Sequence, residues 1–245
     1  MRAWLILLTA CGAHIADARA SDALASDAPT TTTPAAPLMR WDFDQHLTNS
    51  GTLAGYAMQV PAGANWVTGQ SGAAIYFGGN QYGGVDGLRA VLGSRTKLTI
   101  AFWMNQPGTL RSAAFDLLNR SSAPYGGVAL GYDFNTSALY WCVATTASSV
   151  LGGSCNAPNV GLPNEWHHWI MRYDGATVQL FLDDVLVATK ATNNDVLGGM
   201  PDTLSLPAPL TGYDNLEIYG DVFDVATQCT HVVGGVWTGT TCTLP

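Results

Sequence analysis

Charge is what this chain has least of. Only 11% of its 245 residues are charged, Lys and Glu are scarce, and no run of basic side chains occurs anywhere. A protein that binds a phosphate backbone carries such a basic footprint. With 10 Lys and Arg against 18 Asp and Glu, and a net charge of −8, nucleic acid is excluded as a partner. Also missing are long stretches with apolar residues at helical spacing, and any apolar run long enough to span a bilayer as a helix. There is no GxSxG elbow and no P-loop. Neither cysteine spacing is the tight CxxC type, and the histidines complete no tetrahedral set, which argues against zinc. The chain has two glutamates, Glu165 and Glu217, far apart in sequence.

What is present favours strands. Hydrophobic residues make up 47% of the chain, enough for one sizeable core, and Gly, Thr, Val and aromatics are abundant. The opening "MRAWLILLTACG" has one positive charge, Arg2, and a short apolar run from Ala3 to Leu8. It reads as an export signal over residues 1–20. Leu8 to Cys11 resembles a bacterial lipobox, which implies cleavage before Cys11 and lipidation of that cysteine. Cleavage after the Ala18, Arg19, Ala20 triplet is the alternative. Residues 21–37, "SDALASDAPTTTTPAAP", have almost nothing to bury and are predicted to be a disordered tether.

Five cysteines is an odd number for an exported protein. Assigning Cys11 to lipid leaves two local pairs, Cys142 with Cys155 and Cys229 with Cys242, which are predicted to oxidise outside the cytosol. Free buried thiols are the alternative. The second pair is predicted to close a hairpin over 224–245 about Gly234-Gly235, with a bulge near Gly239.

From "LMRWDFD" onward, short alternating segments are separated by turn residues: "AAIYFGG", "KLTIAFWMNQ", "GGVALGYDF", "ALYWCVAT", "HHWIMRYDG", "TVQLFLDDVLVAT" and "LEIYGDVF". In "TVQLFLDD", Val178, Leu180 and Leu182 share one face while Gln179, Phe181 and Asp183 share the other. Asp183-Asp184 form a two-residue hairpin link. The prediction is an all-β antiparallel sandwich over 38–223. His167 and His168 are neighbours in a strand, point to opposite faces, and so do not converge on one ion.

"LTIAFWMN", "EWHHWIMRYDGATVQLFLDDVLVAT" and "YDNLEIY" resemble, in order and spacing, the LamG-like jelly-roll family, which shares the concanavalin A-like lectin and glucanase sandwich. "WDFD" and "AAIYFGGN" are similar to its opening strands. The resemblance implies a structural calcium joining the opening strand, a glycine turn and an Asp in the last core strand. Carried onto this chain, those are Asp42 with Asp44, Gly78, and Asp214. Asn215 stands where the family often has a second acid, and solvated strand-end carboxylates are the alternative. Glucanases of this fold keep their acids as Glu-x-Asp-x-x-Glu or a close variant. Glu165 and Glu217 match no such motif, and Asp42 and Asp44 lie away from the family's cleft, so a glycoside hydrolase ranks third.

Tryptophan and tyrosine stack on sugar faces, and the Gly-rich polar stretches are candidate rim loops, which singles out Trp66, Tyr82 and Tyr125. The sequence therefore predicts a binding module, not an enzyme, recognising a glycan or another surface ligand. A structural or adhesive protein–protein domain is the alternative. Membrane contact is expected through the lipid anchor only. The expected location is the bacterial outer membrane or cell surface, and otherwise the periplasm or the medium.

Overall fold

Two antiparallel sheets carry the fold. The computed structural model describes residues 35–78, 81–105, 111–119, 126–133, 138–145, 148–156, 165–192, 196–206, 211–232, 234–239 and 241–243. Cys11, Tyr125 and residues 21–34 of the tether lie outside them. In chain order the strands are β1 (Met39–Trp41), β2 (Asn65–Thr68), β3 (Ala73–Phe77) and β4 (Gly83–Val85), then helix α1 (Leu88–Leu92). There follow β5 (Leu98–Asn105), β6 (Arg111–Asn119), β7 (Gly126–Asp133), β8 (Ala138–Thr145), β9 (Ser148–Asn156), β10 (Trp166–Tyr173), β11 (Thr177–Leu182), β12 (Val185–Ala191), β13 (Leu204–Leu206) and β14 (Thr211–Tyr219). A C-terminal segment adds α2 (Val225–Thr227), a π-helical turn over Gln228–Val232, β15 (Val236–Trp237) and β16 (Cys242–Thr243). It belongs to the same compact unit, Pro34–Pro245, as the sandwich.

The larger sheet runs β12-β11-β10-β5-β14-β3-β2, with β1 also paired to β14. The smaller runs β4-β13-β6-β7-β8-β9. Their inner faces form one core, in which Phe102 of β5 stacks on Phe115 of β6 with ring centroids 6.2 Å apart. Alternation places the side chains as the sequence suggests: Val178, Leu180 and Leu182 are in the core, and Phe181 is on the other face. The hairpin between β11 and β12 turns at Asp183 and Asp184, at φ 48° and 61°, the left-handed pair that a two-residue loop needs. Strands β2, β4, β6, β9 and β13 were not among the segments legible from alternation.

Strand β5 is buried on both faces, which explains why "LTIAFWMN" reads as a continuous apolar run rather than an alternating one. Its outer face is covered by the C-terminal segment. Val232 packs on Ala101, Ile170 and Phe181. The Arg172 guanidinium lies 4.6 Å from the Phe181 ring and donates to Phe223 O and, at 3.2 Å, to Gln228 Oε1. Cys229 and Cys242 form a disulfide that pins this cover. The hairpin itself turns over Thr238–Thr241, where Thr238 N donates to Thr241 O and Gly239 takes φ 94°. The predicted turn at Gly234-Gly235 is therefore corrected: Cys229 lies in the π-helical turn, so the bond joins that turn to β16 instead of crossing the hairpin. In the β8–β9 pair, Cys142 faces Gly152 and Cys155 faces Leu139 across the backbone. Three rungs of roughly 3.3 Å separate them along the backbone, and the predicted bond between their side chains lies outside what the structure describes.

Candidate functional site

Strand β14 changes partners halfway along. Its first part, through Tyr213, pairs with β3, and its later part, from Leu216, pairs with β1. The change falls at a bulge between Asp214 and Glu217, where Asn215 takes φ 46°. Asp214 therefore sits at a seam, facing the chain that leaves β1 and the turn that enters β3. Left-handed φ values at Phe43 (56°) and Gln45 (61°) bracket Asp44 on the β1 side. For a bulky residue such as Phe43 this backbone is a genuine outlier, of the kind that collects at functional sites.

Asp214 and Asp44 grip the turn between β2 and β3. Ser71 N donates to Asp214 Oδ2 at 3.0 Å, and Ala73 N donates to Asp44 Oδ1 at 2.8 Å. Glycine is required at Gly72: its φ is 73°, and a Cβ there would come 2.0 Å from Asp44 Oδ1. Asp214 is fully buried, and its Oδ1 has no hydrogen-bond partner. Burial pushes its carboxyl up to about 6, with the Asp44 charge adding to the rise and backbone N–H groups of Ser71, Asn215 and Gln70 opposing it. An orphaned oxygen and two mutually repelling carboxylates are what a hard cation relieves.

Of the calcium set implied by the resemblance, Gly78 falls elsewhere, while Asp42 follows β1 beside a neighbouring histidine. Asp42 pairs with His46 Nε2 at 3.2 Å. Gly78 lies past the far end of β3, five strand residues or roughly 17 Å from the turn, where its N–H donates to Gln81 Oε1 at 3.2 Å. The glycine that meets Asp44 is Gly72. Among the described residues, the one group of three or more ligand-bearing side chains within 4.8 Å of one another is Asp184, Cys229 and Cys242, whose sulfurs are already bonded together.

Trp66 lies beside the same seam. It is 39% exposed, and with Asp44, Gln45, Thr68 and Gly72 it lines an open hollow of about 630 Å³. The stacking residue and the carboxylate, arrived at by separate arguments from the sequence, thus share one wall. Tyr82, 64% exposed, lines a different hollow of about 420 Å³ with Gln59, Pro61 and Asp86.

The histidines part as their alternation requires. His167 Nδ1 meets Asp183 Oδ2 at 2.6 Å, and Asp183 Oδ1 accepts from the His168 backbone N–H at 2.9 Å, so one carboxylate ties the start of β10 to the turn after β11. His168 is on the outer face against Trp103, and burial lowers its imidazole to about 4. Sequence reasoning missed a pocket of about 400 Å³ on that face, where Arg40, Trp103, His168 and Glu217 meet the C-terminal segment. One signal for it was present, a glutamate inside the apolar strand "NLEIY". Its partner Arg40 is found only once β1 pairs with β14.

The concanavalin A-like lectin/glucanases profile, of laminin G type, matches residues 77–226. Comparison with curated proteins gives no significant match. Among solved structures, the binding domain of Paraclostridial Mosquitocidal Protein 1 is similar at TM-score 0.60 and 14% identity, over 78% of this chain and 50% of that one. The botulinum neurotoxin serotype G binding domain gives 0.61 and 10%, over 78% and 49%. The binding domain of botulinum neurotoxin DC in complex with SialylT gives 0.61 and 11%, over the same shares. This chain spans about half the length of these structures. Identities this low show a common fold.

Proposed function

Because the chain belongs to the concanavalin A-like lectin/glucanases superfamily, we propose that it is a binding module rather than an enzyme, and that its ligand is a carbohydrate held in the hollow beside Trp66. The observation that carries this reading is the exposed indole of Trp66 on one wall with Asp44, whose acceptor oxygens suit sugar hydroxyls. It is supported by fold neighbours whose printed descriptions concern glycan ligands, SialylT for one neurotoxin and gangliosides for another.

Asp44 and Asp214, with backbone carbonyls of the seam, would hold a calcium ion. The ion would supply positive charge to two carboxylates that otherwise repel, and would fix Asp44 at the edge of the hollow. With two carboxylates rather than three or four, the site belongs to the weak, extracellular class of affinity. The lipobox-like Leu8 to Cys11 supports an exported, lipid-anchored location, which would present the module at a bacterial surface.

A glycan array read in millimolar calcium tests the assignment. Wild type is expected to retain a chemically coherent set of glycans, and Trp66→Ala to lose that set while its melting temperature stays within about 2 °C, because the side chain lies at the surface. Equal retention by both proteins would remove Trp66 from the site, and retention of nothing by wild type would favour the adhesive alternative.

A further inference from the structure

The pocket on the outer face of the larger sheet is built differently from the hollow at Trp66. Its floor comes from β5, β10 and β14, its rim from Arg40 and Ser71, and its far wall from His231, Val232 and Gly234 of the disulfide-pinned C-terminal segment. The superfamily match ends at residue 226. That wall lies beyond the matched residues, and it turns an open sheet face into an enclosure of about 400 Å³, within the range of small-molecule sites.

The polar groups inside include one Arg and one Glu that meet each other, with His168 on the floor and His231 on the far wall. Glu217 is buried. Its Oε1 lies 3.2 Å from Arg40 Nη1, and its Oε2 accepts from Tyr219 Oη at 2.6 Å. Arg40, half exposed on the rim, keeps further N–H donors beyond that contact. His168 is 2% exposed, its ring lies 4.9 Å from that of Trp103, and its Nδ1 is buried without a partner. A buried polar atom of this kind is costly unless an occupant satisfies it. A neutral imidazole nitrogen either donates or accepts, and a hydroxyl matches both cases. A charged occupant fits poorly: a carboxylate on Arg40 would compete with Glu217 and leave a buried charge uncompensated.

We infer that this pocket is a second binding site, for a neutral, vicinal-diol ligand the size of one pyranose ring, with the Arg40–Glu217 pair taking adjacent hydroxyls and His168 Nδ1 a third. The aromatic edge of Trp103 supplies the apolar side of the enclosure. The site is separate from the hollow at Trp66, and either holds without the other.

The two sites carry their own reporters, the indole N–H resonances of Trp103 and Trp66, so one titration of the full chain separates them. Methyl glycosides of glucose, galactose and mannose are titrated into the tens of millimolar, with N-acetylneuraminic acid as the acidic comparator. At least one neutral glycoside is expected to shift Trp103 saturably, and the acid to leave it unmoved. His168→Phe is expected to weaken the binding by roughly tenfold or more through loss of its polar nitrogen. Because His168 is buried, Ser71→Trp at the exposed rim provides the second variant: it fills the entrance, keeps the backbone N–H that Asp214 accepts, and is expected to melt as wild type does while abolishing the shift. If no neutral glycoside moves Trp103, if the acid binds as well, or if both variants bind as wild type does, the inference is overturned. A shift at Trp66 alone would also overturn it while leaving the glycan reading of the hollow in place.

Discussion

Asp214 and His168 are buried titratable groups on β14 and β10, the two strands that flank β5, and they push stability in opposite directions. Asp214 titrates at about 6 in the folded chain against 3.8 ordinarily. Between those values the folded state keeps a proton that the unfolded chain has released, so stability is full below 3.8 and is lost as pH rises through 6. His168 titrates at about 4 against 6.5, so here the unfolded chain holds the extra proton, and stability is full above 6.5 and lost as pH falls towards 4. In EDTA the two slopes oppose each other in wild type. Asp214→Asn is expected to unmask the histidine, giving a melting temperature that rises from pH 4 to pH 6.5, and to abolish the stabilisation by millimolar calcium that is expected of wild type. Thermal melts across that pH range, with EDTA and with calcium, check both. A variant that still gains stability from calcium would place the ion away from Asp214. The burial of Asp214 in a strand was foreshadowed by the apolar residues around it in "YDNLEIY", and its candidacy came from the family resemblance. That Gly72 and not Gly78 completes the turn was not legible, because it depends on a left-handed φ and a contact across strands distant in sequence.

Among elements, the C-terminal segment departs furthest from what its sequence suggests. Alternation made β3, β7, β8, β10, β11 and β12 readable, and β5 was readable as a continuous apolar run bounded by turn residues. Strands β2, β4 and β13 are too short, or too exposed, to show one. The C-terminal segment reads as a free hairpin, yet it folds back over β5 and β10 because Arg172, Phe181 and Ile170 present a surface to cover. Its stability rests on few apolar contacts, which makes the disulfide its main restraint. The bond closes a separation of 13 residues, for which about 3 kcal/mol is typical. Cys229→Ser is accordingly expected to speed amide hydrogen exchange over 225–243 by at least roughly tenfold while the interior amides of β5 and β10 keep their protection. Uniform loss of protection through the sandwich would mean that the cover is part of the core.

For the whole molecule, the proposed anchor, tether and sandwich form one arrangement, in which a lipidated Cys11 would hold the binding surface clear of a membrane. Cys11→Ala is expected to release the protein from the membrane fraction and to leave an uncleaved precursor, as fractionation and blotting would report. Normal processing with membrane retention would point to a different anchor. The sandwich itself was legible, because turn residues and alternation recur along the chain. The convergence of Trp66 with Asp44 was not, since it depends on β2 pairing with β3 and on β14 exchanging β3 for β1 at one bulge. That convergence is the centre of the proposal, and calorimetric titration of one array-identified glycan tests it most directly, with wild type in calcium, wild type in EDTA, and Trp66→Ala in calcium. If metal and sugar share one site, affinity is expected to fall by roughly tenfold or more both on chelation and on loss of the indole. Binding that is unchanged in EDTA and in Trp66→Ala would contradict it.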